Sequence, residues 1–294
     1  MTSVSVDRGR AERVLLPVLL PLLLTALAFA LLFAKPITLL ARDWWNDPEA
    51  GHGLLLAPAA VWLAVRRGRV EGSRGQACLG LAVLALALAM RLAGELAAEL
   101  FTMRLSVVMA LAGLIIFYLG WRQLIAWWLP VVLLALSIPL PELIRSAIAL
   151  PLQFRASALG TALLEWRHVP VELKGNIIQL PGHRLFVTEA CSGLRSLTAL
   201  LALAMLIGGI WMRHPLTRAT LLAIAIPIAI LLNGIRVFLT GFLVFFVDPK
   251  LGEGFMHMTE GWLLFVVSFG MVLGTAAILR GIESLWLGRR SADA

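Results

Sequence analysis

Charge is scarce in this sequence. Acidic and basic side chains make up 14% of the 294 residues against 60% hydrophobic ones, at a mean hydropathy of +0.91. That balance excludes a single water-soluble core, which could not enclose so much apolar surface. No stretch is left over for a separate soluble domain, and internal repeats and low-complexity tracts are missing. There is no paired-Cys motif, no His-Glu-x-x-His and no Asp dyad at helix depth, so a metal centre is not expected. Phosphate loops and nucleic-acid modules are equally absent, so neither a cofactor nor a nucleic-acid partner is expected.

What is present is a succession of apolar runs about 20 residues long, the length a helix needs to cross the hydrocarbon layer of a bilayer. They predict an all-α integral membrane protein, one polytopic domain over residues 1–294 in contact with membrane lipids. About eight spanning helices are expected, near 14–40, 53–65, 77–95, 104–120, 124–140, 190–212, 219–247 and 257–280. The first follows Arg8, Arg10 and Arg13 and is too long for the apolar part of a signal peptide, so it is read as a retained helix. Trp44, Trp45, Trp121, Trp211 and Trp286 fall near helix ends, where indole rings prefer the membrane interface.

Basic residues set the orientation. With the N-terminus inside, one side collects 13 Arg against 5 acids, while the other holds 10 Lys plus Arg against 12 acids. Both termini are therefore expected in the cytoplasm, and the net charge of +8 is a topology signal rather than a nucleic-acid patch. One outer stretch, about 141–188, breaks the pattern. Its first part, Glu142 to Glu165, suggests an amphipathic helix lying in the interface. Its second part alternates apolar and polar residues around Gly175-Asn176 and Pro181-Gly182, which predicts a small β-hairpin or meander.

That meander leads directly to Glu189-Ala-Cys-Ser-Gly-Leu-Arg195. Cys78 belongs to the opposite side of the membrane, so no disulfide between the two cysteines is expected. Cys191 is thus a thiol facing an oxidising compartment. With Thr188 as N-cap it would fall in the first turn of the next helix, where unpaired N–H groups lower a thiol pKa. Gly193 would let a substrate backbone approach, and Arg195 lies one turn on. The helix start alone leaves two readings open, a buried small hydrophobe or a nucleophile.

Asn233-Gly-Ile-Arg236 sits inside the seventh apolar run, about three turns below its outer end. An intramembrane Arg costs roughly 2.5–3.5 kcal/mol on insertion scales and generally faces a bundle interior or wet cavity. Among the histidines, His257 opens the last helix from the outer side at the depth of Cys191, where an imidazole can exchange protons with a thiol and a leaving amine. Glu260, one turn on, is read either as orienting that ring or as a salt-bridge partner on the helix face. His52, in Glu-Ala-Gly-His-Gly, is a second outer candidate, while His168 and His183 are read as solvated and His214 falls on the cytoplasmic side, away from an outer site.

These motifs together resemble the exosortase and archaeosortase family of integral-membrane cysteine transpeptidases. The resemblance rests on Glu189 to Arg195, Asn233 to Arg236, and His257 with Gly261-Trp262, in that order on successive helices. Trp45, Gly51-His52-Gly53, Pro58 and Gly175 to Pro181 support it. It implies Cys191, Arg236 and His257 as catalytic residues, with Glu189, Gly193, Arg195, Asn233, Glu260 and His52 in supporting or substrate-binding roles. Implied substrates are exported proteins ending in a Pro-Glu-Pro-type (PEP-CTERM-like) sorting signal, processed at the outer face of a bacterial inner membrane in exopolysaccharide-making cells. The thiolate would form a thioacyl enzyme, resolved by water or by an amine acceptor, a lipid among the candidates. Arg195 is the rival to Arg236 as oxyanion partner. The competing classes are a transporter of an anionic solute using Arg236 and Asn233, and a scaffold for polysaccharide export.

Overall fold

In the computed structural model, residues 8–187, 193–248 and 254–292 are described, with side chains over 19–187, 193–248 and 261–286. Ten helices and three short strands occupy them: α1 (Arg8–Asn46), α2 (Gly53–Arg67), α3 (Ala77–Leu96), α4 (Leu100–Leu119), α5 (Trp121–Ala126), α6 (Trp128–Leu136), α7 (Glu142–Trp166), β1 (Glu172–Lys174), β2 (Ile177–Leu180), β3 (His183–Phe186), α8 (Leu194–Trp211), α9 (Pro215–Phe246) and α10 (Gly254–Ala292). The all-α polytopic architecture stands.

Seven helices among the described residues are long and apolar enough to cross a membrane, and the set differs from expectation in three places. α2 stops at 15 residues. The run at 124–140 is broken at Trp127 into α5 and α6. Pro130 has no N–H to offer the Ala126 carbonyl four residues back; Arg67 Nη1 donates to that carbonyl instead, at 2.8 Å. Conversely, α7, expected to lie in the interface, is itself of spanning length and composition and buries one side against α9.

Small residues set the helix spacing. α3 buries Gly80, Ala87 and Gly94, one every seven residues, which forms a single seam along the helix. A β-carbon on Gly80 would lie 2.6 Å from the Phe117 Cα, and one on Gly94 2.7 Å from the Met103 nitrogen, so α3 and α4 approach backbone to backbone. α7 meets α9 in the same way. Virtual β-carbons on Gly160, Gly234 and Gly241 come within 2.6, 2.3 and 2.9 Å of Val237, Leu159 and Leu164. The contacts Leu159–Gly234, Gly160–Val237 and Leu164–Gly241 advance together along both chains, so the two helices run in the same direction here.

The apolar faces of α8 and α9 form the largest core. α8 contributes Leu194, Leu197, Leu200, Ala204 and Ile207, at helical spacing, to pack on Leu221, Ala225, Ile228, Ala229 and Leu232, with Val272 and Ala276 of α10 closing the cluster. At one end of the bundle Glu283 of α10 accepts the backbone N–H groups of Arg213 and His214, which caps the start of α9. At the predicted outer end the meander is present as an antiparallel sheet in the order β1-β2-β3. Its turns are the two glycine-containing pairs: Gly175 (φ +66°) and Gly182 (φ +78°) supply the left-handed conformation each needs. Ile178 and Leu180 of β2 point into a core with Leu164 of α7 and Val237 and Val244 of α9, which seats the sheet on the α7–α9 pair.

Candidate active site

α9 is the element around which the expected site is arranged. Asn233-Gly-Ile-Arg236 turns through successive faces of that helix, and three of the four residues each meet a different neighbour. Asn233, 6% exposed, lies against Gly193 at the start of α8: a β-carbon there would fall 2.6 Å from Asn233 Cγ and 2.8 Å from Nδ2. Gly234 receives Leu159 of α7. Arg236, half-buried, turns toward α10, where a β-carbon on Gly261 would be 3.2 Å from both Cζ and Nη2 and 3.5 Å from Nε. The guanidinium therefore packs against α10 at Gly261. Position 257 precedes Gly261 by one turn on the same face of that helix.

Cys191 and Glu189 lie outside the described residues, as do the side chains of His257 and Glu260. Their neighbours in sequence are located. Gly193, two residues after Cys191, adopts φ +78° and ψ 4° as the N-cap of α8, which begins at Leu194. Thr188, the expected N-cap, and the turn expected to hold Cys191 lie outside the described residues. Arg195 is in the first turn of α8 and exposed, whereas Arg236 is half-buried.

Arg236 lies well inside α9. α9 runs ten residues beyond it to Phe246, but that outer portion is packed by α7 and the sheet. The start of α8, at Gly193, stands level with Asn233, about one turn before Arg236. A small cleft at this junction is lined by Leu152, Gly193, Leu197, Ala229, Ile230 and Asn233. His52 is held elsewhere: its Nε2 donates to Leu136 O at the end of α6, at 3.1 Å, in the corner where Trp44 Nε1 reaches Ser137 O at 2.7 Å and Arg145 pairs with Glu49 at 2.9 Å. Cys78 is a free, exposed thiol.

Two features escaped the sequence reading. Gly261 is the seat of the Arg236 guanidinium. Asn176 ties the end of the sheet to α7, donating to Val187 O at 3.0 Å and toward Gln153 Oε1 at 3.4 Å. Only the polar character of Gln153 within an apolar helix could have signalled the second.

Residues 44–274, well over half of the chain, match the family model described as transmembrane exosortase. The chain belongs to that family. No individually curated protein and no solved structure matches it. At family level a transmembrane exosortase is a membrane transpeptidase acting on proteins that carry a sorting signal, and this exosortase is a multi-pass integral membrane protein.

Proposed function

We propose that this exosortase cleaves a C-terminal sorting signal, a Pro-Glu-Pro-like motif followed by a transmembrane helix, at the outer face of a bacterial cytoplasmic membrane, with Cys191 as nucleophile. The thiolate attacks the carbonyl carbon of the scissile peptide, forming a C–S bond and an oxyanion. Arg236 stabilises that oxyanion. His257 gives a proton to the departing amine as the C–N bond breaks, leaving a thioacyl enzyme. An amine acceptor or water then attacks the thioester and releases the thiolate. No metal or cofactor enters any step.

The observation that carries this reading is the pair of contacts made by α9. Asn233 abuts Gly193, two residues from Cys191, and the Arg236 guanidinium abuts Gly261, one turn from His257. Both contacts fall on one turn of α9 and both involve a glycine: a β-carbon would clash at Gly193 and would be tight at Gly261. A guanidinium packed against α10 at Gly261 supports this role, since an oxyanion partner must be a planar donor held in place.

The test is co-expression with a tagged sorting-signal protein, followed by a gel shift of the tag. Cys191→Ala and Cys191→Ser abolish cleavage at unchanged protein level; full processing by Cys191→Ala overturns the proposal. A transporter using Arg236 and Asn233 predicts the opposite pair, a tolerated Cys191→Ala and a damaging Arg236→Ala in solute uptake. Mass spectrometry of the new carboxyl terminus separates transfer from hydrolysis, because only transfer adds mass there.

A further inference from the structure

Two amide side chains hold the stretch of chain leading into Cys191, and neither has a part in the chemistry above. Asn176, in the turn between β1 and β2, binds both backbone groups of Val187. Its backbone carbonyl accepts Val187 N–H at 3.0 Å, and its side-chain Nδ2 donates to Val187 O at 3.0 Å. The same Nδ2 reaches Gln153 Oε1 on α7 at 3.4 Å. Gln153 is 6% exposed and Val187 1%, while Asn176 is half-buried, so losing the amide would leave the two buried acceptors short of a partner.

The geometry matters because of what lies on either side. Val187 is four residues before Cys191, and Gly193 is two residues after it. One end of this short tether is pinned through Asn176 to α7, the other through Gly193 to Asn233 on α9. α7 and α9 are themselves locked by Gly160 and Gly234. We infer that Asn176 and Gln153 are positioning residues that fix Cys191 relative to Arg236, an inference that rests on the proposed role of Cys191 as nucleophile. A primary amide is required at position 176, since one nitrogen must serve two acceptors. Aspartate has the same shape and no N–H to give.

The experiment uses the full-length protein purified in detergent, with Asn176→Asp, Asn176→Ala, Gln153→Leu and Gln153→Glu. Two quantities are read: kcat and KM on a sorting-signal peptide, and the rate of Cys191 alkylation by iodoacetamide, with Cys78 in the same molecule as internal control. Asn176→Asp and Gln153→Leu lower kcat by about tenfold or more while KM stays within about threefold, as for a misplaced reacting group. Both change the Cys191 alkylation rate and leave that of Cys78 unaltered. Gln153→Glu, which keeps an acceptor for Asn176, retains most of the activity lost in Gln153→Leu. Wild-type kcat and Cys191 reactivity in Asn176→Asp overturn the inference, and so does a loss that appears equally at Cys78. Should Asn176→Ala fail to accumulate, the isosteric aspartate and the α7 variants decide. Alkylation needs no turnover, so a wild-type protein that cleaves nothing defeats the proposed function while the Cys191 rates still judge Asn176.

Discussion

Gly193 and Asn233 touch so closely that no side chain fits between them. A β-carbon on Gly193 would fall 2.6 Å from Asn233 Cγ, and its φ of +78° disfavours any L-residue in addition. Gly193→Ala is therefore expected to lose about 1–3 kcal/mol of stability, read as a lower melting temperature in detergent. Processing of a sorting-signal substrate falls further than that loss explains, because residue 193 sets the exit of the Cys191 segment. A Gly193→Ala protein that processes substrate at the wild-type rate removes this contact from the argument.

The seat of Arg236 on Gly261 separates the two arginines that compete for the oxyanion role. Arg236→Ala should lower kcat by about 10²–10³, the usual cost of one oxyanion donor. Arg236→Lys should not restore it, since a point charge cannot reproduce a planar fork. Gly261→Ala presses on the guanidinium from 3.2 Å and should give an intermediate kcat at unchanged KM. Arg195, exposed at the start of α8, should tolerate alanine with a change below about threefold. A reversed order, with Arg195 the costly position, would transfer the role to it.

Packing between α7 and α9 can be tested by exchange of volume. Gly234→Ala brings a β-carbon to 2.3 Å from Leu159 Cδ2, an overpacking cost of about 1–3 kcal/mol toward the low end, because a leucine tip can rotate away. Leu159→Ala alone should leave a cavity and also destabilise. The double variant should be more stable than the sum of the two changes predicts. Strict additivity in the melting curves would mean the two residues are not in contact.

Hydrophobic run length made the membrane class legible, and glycine pairs made both turns of the sheet legible, since each depends on local chemistry alone. The helix count was not. The run at 124–140 reads as continuous until the missing Pro130 donor and the Arg67 replacement are seen together, and Arg67 is remote in sequence. For α7 the polar Arg145, Gln153 and Arg155 suggested an interfacial helix, while its length and composition also suffice to span. Two of those polar groups are answered by partners, Arg145 by Glu49 and Gln153 by Asn176, which periodicity cannot reveal. The motifs of the site were readable as residue types, but their convergence rests on which neighbour each face of α9 meets. Gly261 illustrates the limit: a residue with no side chain carries no chemical signal, and its value lies wholly in what sits on it.

Far from that site, Glu99 offers a check on the loop joining α3 to α4. Its carboxylate accepts the N–H groups of Phe101 at 2.9 Å and Thr102 at 2.6 Å, capping α4. Partial burial works to raise its pKa, but the hydrogen bonds from Thr102 and Phe101 and the nearby Arg104 outweigh it and hold the group below its ordinary value of 4.5. A folded pKa below the unfolded one gives stability that is fully present above the unfolded value and lost as pH falls through the folded one. Melting temperatures in detergent, measured from about pH 6 downward, should therefore drop more steeply below about pH 4.5 for the wild type than for Glu99→Gln. Above that range Glu99→Gln should be less stable by at most about 1 kcal/mol, the usual worth of a cap reduced by solvent screening. Parallel curves for the two proteins across the acid range would show that the carboxylate charge contributes nothing to holding α4 at its start.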